Sequence, residues 1–181
     1  MSSDKSVPDL SQELLDVLDD LGQVIGTATR QEVHARGLVH RAVHILVLGS
    51  DNRLLLQKRS AKKASWPGMW DTSVGGHVGA GEAPIESALR ECREELGICV
   101  EAKDLEPLGR YLFDGQTLDP EWVDSWILVH DGPFSPDPEE VEAVAFLTAS
   151  EVETQIRTGW TTPHFSAQWE RDLKGRGRVR P

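Results

Sequence analysis

Glu91, Glu94 and Glu95 stand at i, i+3 and i+4, a spacing that stacks three carboxylates along one side of any helix that carries them. Like charges bunched in that way repel one another. Either bulk water or a divalent cation must offset the repulsion, and all-oxygen ligands of this kind suit Mg²⁺ or Mn²⁺. A helical wheel over Ile85–Leu96 puts Ile85, Ala88, Leu89, Cys92 and Leu96 on one apolar face. The three glutamates fall beside that face rather than opposite it, while Glu86 and Arg93 point elsewhere, toward water. Arg90 lies one turn before Glu94. The segment just upstream, Gly75–Gly81, is glycine-rich and lets backbone approach a ligand closely. On the wheel alone, a metal site and a solvated acidic face weigh equally.

The longer spacing decides between them. Gly76, five residues, Glu82, seven residues, then Arg90-Glu91-Cys92-Arg93-Glu94-Glu95-Leu96-Gly97-Ile98 resembles the Nudix box, G-x5-E-x7-R-E-U-x-E-E-x-G-U with U apolar. Every fixed position matches, Cys92 being the least typical apolar choice. The resemblance implies that Glu91, Glu94 and Glu95 hold Mg²⁺ or Mn²⁺, that Glu82 assists, and that Arg90 orients Glu94 by a charge-assisted bond. It implies hydrolysis of a diphosphate (phosphoanhydride) bond in a nucleoside-diphosphate derivative or a similar small metabolite, the metal neutralising charge and activating water. The general base varies among such proteins. Glu95 is one candidate, and Glu139, Glu140 and Glu142 are others, each of those three being more simply a solvated loop acid. Gly76, His77, Lys58 and Arg59 are candidates for substrate contacts. Lys62 and Lys63 fit phosphate contact and solvation equally well. Trp66 and Trp70 flank Pro67-Gly68 and fit either a pocket wall or core packing, whereas packing is expected of Trp122 and Trp126.

Beyond the box, residues 14–147, including WPGMWDTSVGGHVGAGE, resemble the Nudix branch related to isopentenyl diphosphate isomerase. That isomerase uses a cysteine in a WPG-x-W-x-N-S-x-C-G-H-P motif and a glutamate in a later E-x-E motif. Here Gly75 stands at the cysteine position, Thr72 at the asparagine and Val78 at the final proline, and Val123 replaces the second glutamate. Neither glycine nor valine transfers protons, which argues against isomerase chemistry. A non-catalytic nucleotide-binding module is the other alternative, but such modules usually carry a damaged box, and this one is whole. His40, His77 and Glu121 also match the isomerase's metal-binding pattern, with His34 one residue out of register. Glu121 is thereby a further candidate base or extra ligand. Ordinary polar groups near a cleft are the preferred reading of the histidines.

The elements that must position these residues read as follows. Leu14–Leu21 fits a helical period with Ser11 as cap, or one arm of a hairpin turning at Asp19–Gly22. The branch resemblance implies the hairpin, Leu14–Asp19 with Val24–Thr29. Strands are expected at Arg41–Leu48, Arg53–Lys58, Asp71–Val74, Leu108–Phe113, Trp122–Val129 and Ala143–Leu147. After the box helix, which Pro84 opens and Gly97 stops, helices are expected at Ser150–Arg157 and Pro163–Leu173. Together these suggest an α/β sandwich with a mixed sheet, and the resemblance implies its α/β/α form with a small N-terminal hairpin. Residues 1–10 read as disordered, 11–174 as a single domain and 175–181 as a solvated basic tail.

Composition sets the outer bounds. The 181 residues suit one domain. The net charge is −11, and because Arg171, Lys174, Arg176, Arg178 and Arg180 outnumber Asp172 at the C-terminal end, the rest is more acidic still. A body that acidic does not hold nucleic acid by its phosphates, and an anionic substrate needs cations to mediate. Cys92 and Cys99 form no CxxC pair and read as buried thiols. With no apolar run near 20 residues and no signal-peptide core, the expected place is the cytosol. A homodimer, common in the resembling family, is the assembly the resemblance suggests.

Overall fold

The computed structural model describes residues 10–114 and 119–181. The expectation of disorder over residues 1–10 falls outside them except at Leu10, which opens a short 3-10 turn, Leu10–Gln12. Strands β1 (Leu14–Leu18) and β2 (Val24–Thr29) form the hairpin, paired from Leu14↔Thr29 to Leu18↔Val24. The helical alternative loses because the Asp19 carboxylate accepts from both Leu21 N and Gln23 N and so fixes the turn.

Helix α1 (Arg30–Arg36) follows at once. Then come β3 (His40–Leu48), β4 (Leu54–Arg59), β5 (Trp70–Asp71), β6 (Val74–His77), α2 (Pro84–Leu96), β7 (Glu106–Phe113), β8 (Glu121–Val129), β9 (Val141–Leu147) and α3 (Ala149–Arg157). Helix α4 (Pro163–Gln168) runs on into a π-helical turn, Trp169–Leu173. The single strand expected over Asp71–Val74 is two strands. Ser73 separates them, because its side chain accepts from Val47 N and donates to Leu55 O in place of ladder bonds.

Strand β3 is the axis of a mixed sheet. It runs parallel to β8 from His40↔Glu121 to Leu48↔Val129, and antiparallel to β6 from Ala42↔His77 to Ile45↔Val74. Its alternation sorts the two cores, as a period of 2 requires. Val43, Ile45 and Val47 face α2 with Leu55, Ala88, Cys92 and Leu96. Leu46 and Leu48 face the other way, onto Val152 of α3, Phe165 of α4 and Trp169. The result is the expected α/β/α sandwich.

Residues 175–181 are largely exposed, as expected of a solvated end, but the segment is docked rather than loose. Val179 is buried in the second core, Arg180 O accepts from Ala149 N at 2.8 Å, and Arg180 N donates to Asn52 O at 2.7 Å. One apolar residue among the arginines is enough to seat the segment. Cys99 is exposed rather than buried, unlike Cys92. No described helix is long and apolar enough to cross a membrane.

Candidate active site

The glycine loop and α2 build the site together. Pro84 occupies the first turn of α2, and Gly97 ends it in the left-handed conformation (φ 68°). The wheel holds: Ala88, Cys92 and Leu96 are buried against the sheet, with Ile85 and Leu89 partly so. Glu91 and Glu95 share that burial, at 9% and 6% exposed, and Glu94 turns outward.

Arg90 holds three of the four carboxylates, and Gln57 with Gly75 N holds the fourth. Arg90 Nη1 lies 2.6 Å from Glu91 Oε1 and 3.1 Å from Glu94 Oε2, while Nη2 donates to His77 O at 3.1 Å and reaches Glu82 at 3.4 Å. Glu95 Oε2 accepts from Gln57 Nε2 and from Gly75 N, both at 2.9 Å. Glu82 accepts from Gly79 N at 3.1 Å. A Cβ on Gly76 would overlap the Glu91 carboxylate, so any other residue there has to displace Glu91 from its present position. Burial, opposed by Arg90, lifts the Glu91 pKa to about 7; burial and then the Glu91 charge lift Glu95 to about 8.

Glu91, Glu94 and Glu95 line one cavity together with Arg30, Lys63 and Arg90. None of those cations is free. Arg30 pairs with Glu13, Lys63 with Glu140, and Arg90 with three glutamates. Two buried carboxylates with raised pKa values, a glycine cradle and no spare positive charge are what an oxygen-ligated divalent cation would complete. The residues present therefore fit such an ion.

Gly75, Gly76, His77 and Glu95 also line a second chamber on the other side, with His34, His44, Glu121 and His164. The sheet register assembles it, because β3 pairs His40 with Glu121 and Ala42 with His77. His34 and His77 approach through their Nε2 atoms at 3.3 Å, and Glu121 lies 3.7 Å from His40, 3.8 Å from His77 and 3.4 Å from His164. The donor atoms of His34, His40 and His77 all lie within 4.8 Å of one another, as do those of His40, Asp119 and Glu121. Groups this close could hold an ion. Burial pushes His40 and His77 below the usual histidine range and Glu121 well above the usual carboxylate range.

Residues 38–168 match the family model of the NUDIX domain. The chain belongs to the Nudix hydrolases. It is 36% identical over 146 residues to the Nudix hydrolase SCO1686 of Streptomyces coelicolor, covering 81% of this chain and 80% of that one. It is 35% identical over 142 residues to the Nudix hydrolase YfcD of Escherichia coli K12, covering 78% and 77%. Among solved structures it resembles DR0079 of Deinococcus radiodurans, with a TM-score of 0.78 and 28% identity over 90% of this chain and all of that one.

Within the Nudix site, the expected residues separate. Glu82, Arg90, Glu91, Glu94, Glu95, Gly76 and His77 come together. Arg59 reaches the histidine chamber, held by Asp71 at 3.0 Å. Lys58 does not join them: it pairs with Glu142 at 2.7 Å and lines neither cavity. Lys62 holds Glu139 at 2.6 Å, outside both. Of the three loop acids only Glu140 lines the acidic cavity. Arg30, Gln57 and His164 had no place in the sequence reading. Arg30 could have been found, since Thr29-x-x-Glu32 and Gly37 spell a capped helix. Gln57 and His164 carry no local signal.

Proposed function

We propose that this Nudix hydrolase cleaves the phosphoanhydride bond of a nucleoside-diphosphate derivative or similar metabolite, with Mg²⁺ or Mn²⁺ held by Glu91, Glu94 and Glu95 and assisted by Glu82. The pairing of every cation around the acidic cavity carries this reading. Arg30, Lys63 and Arg90 are each committed to carboxylates, so an anionic substrate finds no protein charge to meet it. A bound divalent ion supplies that charge and lowers the pKa of a water.

The chain's own groups do the rest. Arg90 fixes Glu91 and Glu94 and ties α2 to the glycine loop through His77 O. Gln57 and Gly75 N orient Glu95. Glu95 is the favoured proton acceptor, because it walls the acidic cavity and is held in a fixed orientation by Gln57 and Gly75 N. Glu140, which lines the same cavity and pairs with Lys63, is the alternative base. Isomerase chemistry is disfavoured: Gly75 and the fully buried Val123 hold no transferable proton. We read residues 11–174 as one catalytic unit.

A screen of nucleotides, nucleotide sugars, dinucleotides and isoprenyl diphosphates tests the proposal. Release of phosphate or a nucleoside monophosphate should require Mg²⁺ or Mn²⁺ and stop with a chelator. Conversion of isopentenyl diphosphate to its allylic isomer, or no release from any compound, would overturn it.

A further inference from the structure

The loop between β4 and β5 holds one residue against its preference. Trp66 has φ 51°, a left-handed conformation that bulky side chains avoid, and Pro67 restricts it further. The other described non-glycine residue with positive φ is Asn52, a type that tolerates it. Bonds on both sides hold the strained position. Arg59 Nε donates to Ser65 O at 3.1 Å, Gly68 N donates to Arg59 O at 3.1 Å, and Met69 N donates to Trp66 O at 3.4 Å. Asp71 in turn fixes the Arg59 guanidinium. Strain kept in place by its surroundings marks a position worth a functional explanation.

Trp66 lies on the wall of the histidine chamber, 39% exposed. Among the described residues it is the one large apolar side chain there; the rest of the wall is polar, charged, small or imidazole. Trp70, three residues past the proline, packs against the second core instead. Trp160 is more exposed, at 59%, but lines neither cavity. The chamber and the acidic cavity share Gly75, Gly76, His77 and Glu95. A ligand with its phosphates at the glutamates can therefore extend toward the indole.

We propose that Trp66 is the platform on which the planar base of a nucleoside-diphosphate substrate stacks, and so a specificity-determining residue. This rests on the diphosphate-hydrolase reading above. Base–aromatic stacking tolerates different bases, because each offers a π face. The platform thus selects for a ring over an alkyl group rather than for one base.

Trp66→Gly removes the ring and relieves the backbone, and Trp66→Phe restores a ring. Each is assayed with ADP, CDP and an alkyl diphosphate that has no ring. Trp66→Gly should raise KM for ADP and CDP about tenfold with kcat within about twofold, as loss of one stacking contact predicts. KM for the alkyl diphosphate should not move, the thermal midpoint should hold or rise, and Trp66→Phe should recover most of the loss. Equal KM changes on all three compounds, or none, would overturn the platform while leaving the hydrolase reading intact. Calorimetric titration with AMP needs no turnover. Weakening of about tenfold in Trp66→Gly supports the platform even if no diphosphate is cleaved, and an unchanged Kd, or no AMP binding by the unmodified chain, overturns it.

Discussion

Gly76 and Glu91 show how tightly the site is drawn at the scale of single residues. A methyl group on Gly76 would enter the space of the Glu91 carboxylate. Gly76→Ala should therefore cost about 1–3 kcal/mol, as overpacking does, and lower turnover by more than about tenfold by displacing Glu91. Chemical denaturation and steady-state rates would report both. Glu91 and Glu95 also set a pH dependence. Their folded pKa values, about 7 and about 8, lie above the ordinary value of 4.5. At these two groups the folded state therefore binds more protons than the unfolded chain, and their contribution to stability falls as pH rises, whereas the buried histidines His40, His44, His77 and His164, held below the ordinary value of 6.5, act in the opposite sense up to about that pH. The metal-free protein should show its thermal midpoint dropping from about pH 6.5 to pH 8, where the histidines are neutral in both states, and Mg²⁺ or Mn²⁺ should reverse the drop at the upper end. A midpoint that rises over that range would contradict the burial of these groups. The types and spacing of the box residues were legible because every one sits on a single helix or its loop. Gln57 and His164 were not, because each reaches the site across the sheet from a distant part of the chain.

At the scale of elements, periodicity carried most of the reading. The period of 3.6 in α2 and the period of 2 in β3 both name their buried faces from sequence alone. Where side chains replace backbone partners, periodicity fails. Ser73 takes ladder bonds onto its hydroxyl and divides one expected strand into β5 and β6. The hairpin was ambiguous for a similar reason, since its turn rests on the Asp19 carboxylate rather than on any apolar pattern. Helix α1 went unread although its capping box, Thr29 with Glu32, lay in plain sight. Thr29→Ala should destabilise the protein by about 1 kcal/mol, measurable in a urea melt. Because α1 carries Arg30 and His34 to the two cavities, loss of its cap should also weaken substrate binding. An unchanged urea midpoint would mean that packing alone holds α1.

Across the whole molecule, the parallel register of β3 and β8 joins the two halves. It sets His40 beside Glu121 and so couples the Nudix loop to the second half of the chain. No pattern within either strand announces that pairing, so only the family resemblance, which groups His34, His40, His77 and Glu121, pointed to the histidine chamber. The C-terminal segment illustrates the same limit, since its charge suggested solvent while Val179 and the backbone of Arg180 dock it. Deleting residues 178–181 should cost about 2 kcal/mol in lost burial and backbone bonds, a fall of about 4–8 °C in thermal midpoint. The account as a whole depends on a divalent ion at the outer edge of α2, where Glu94 stands half exposed and pairs only with Arg90. The decisive measurement is turnover of Glu94→Gln on the best substrate at saturating Mg²⁺ or Mn²⁺. Loss of at least about a hundredfold with an unchanged thermal midpoint is the predicted result. Turnover equal to that of the unmodified chain would contradict the metal site and the hydrolysis built on it.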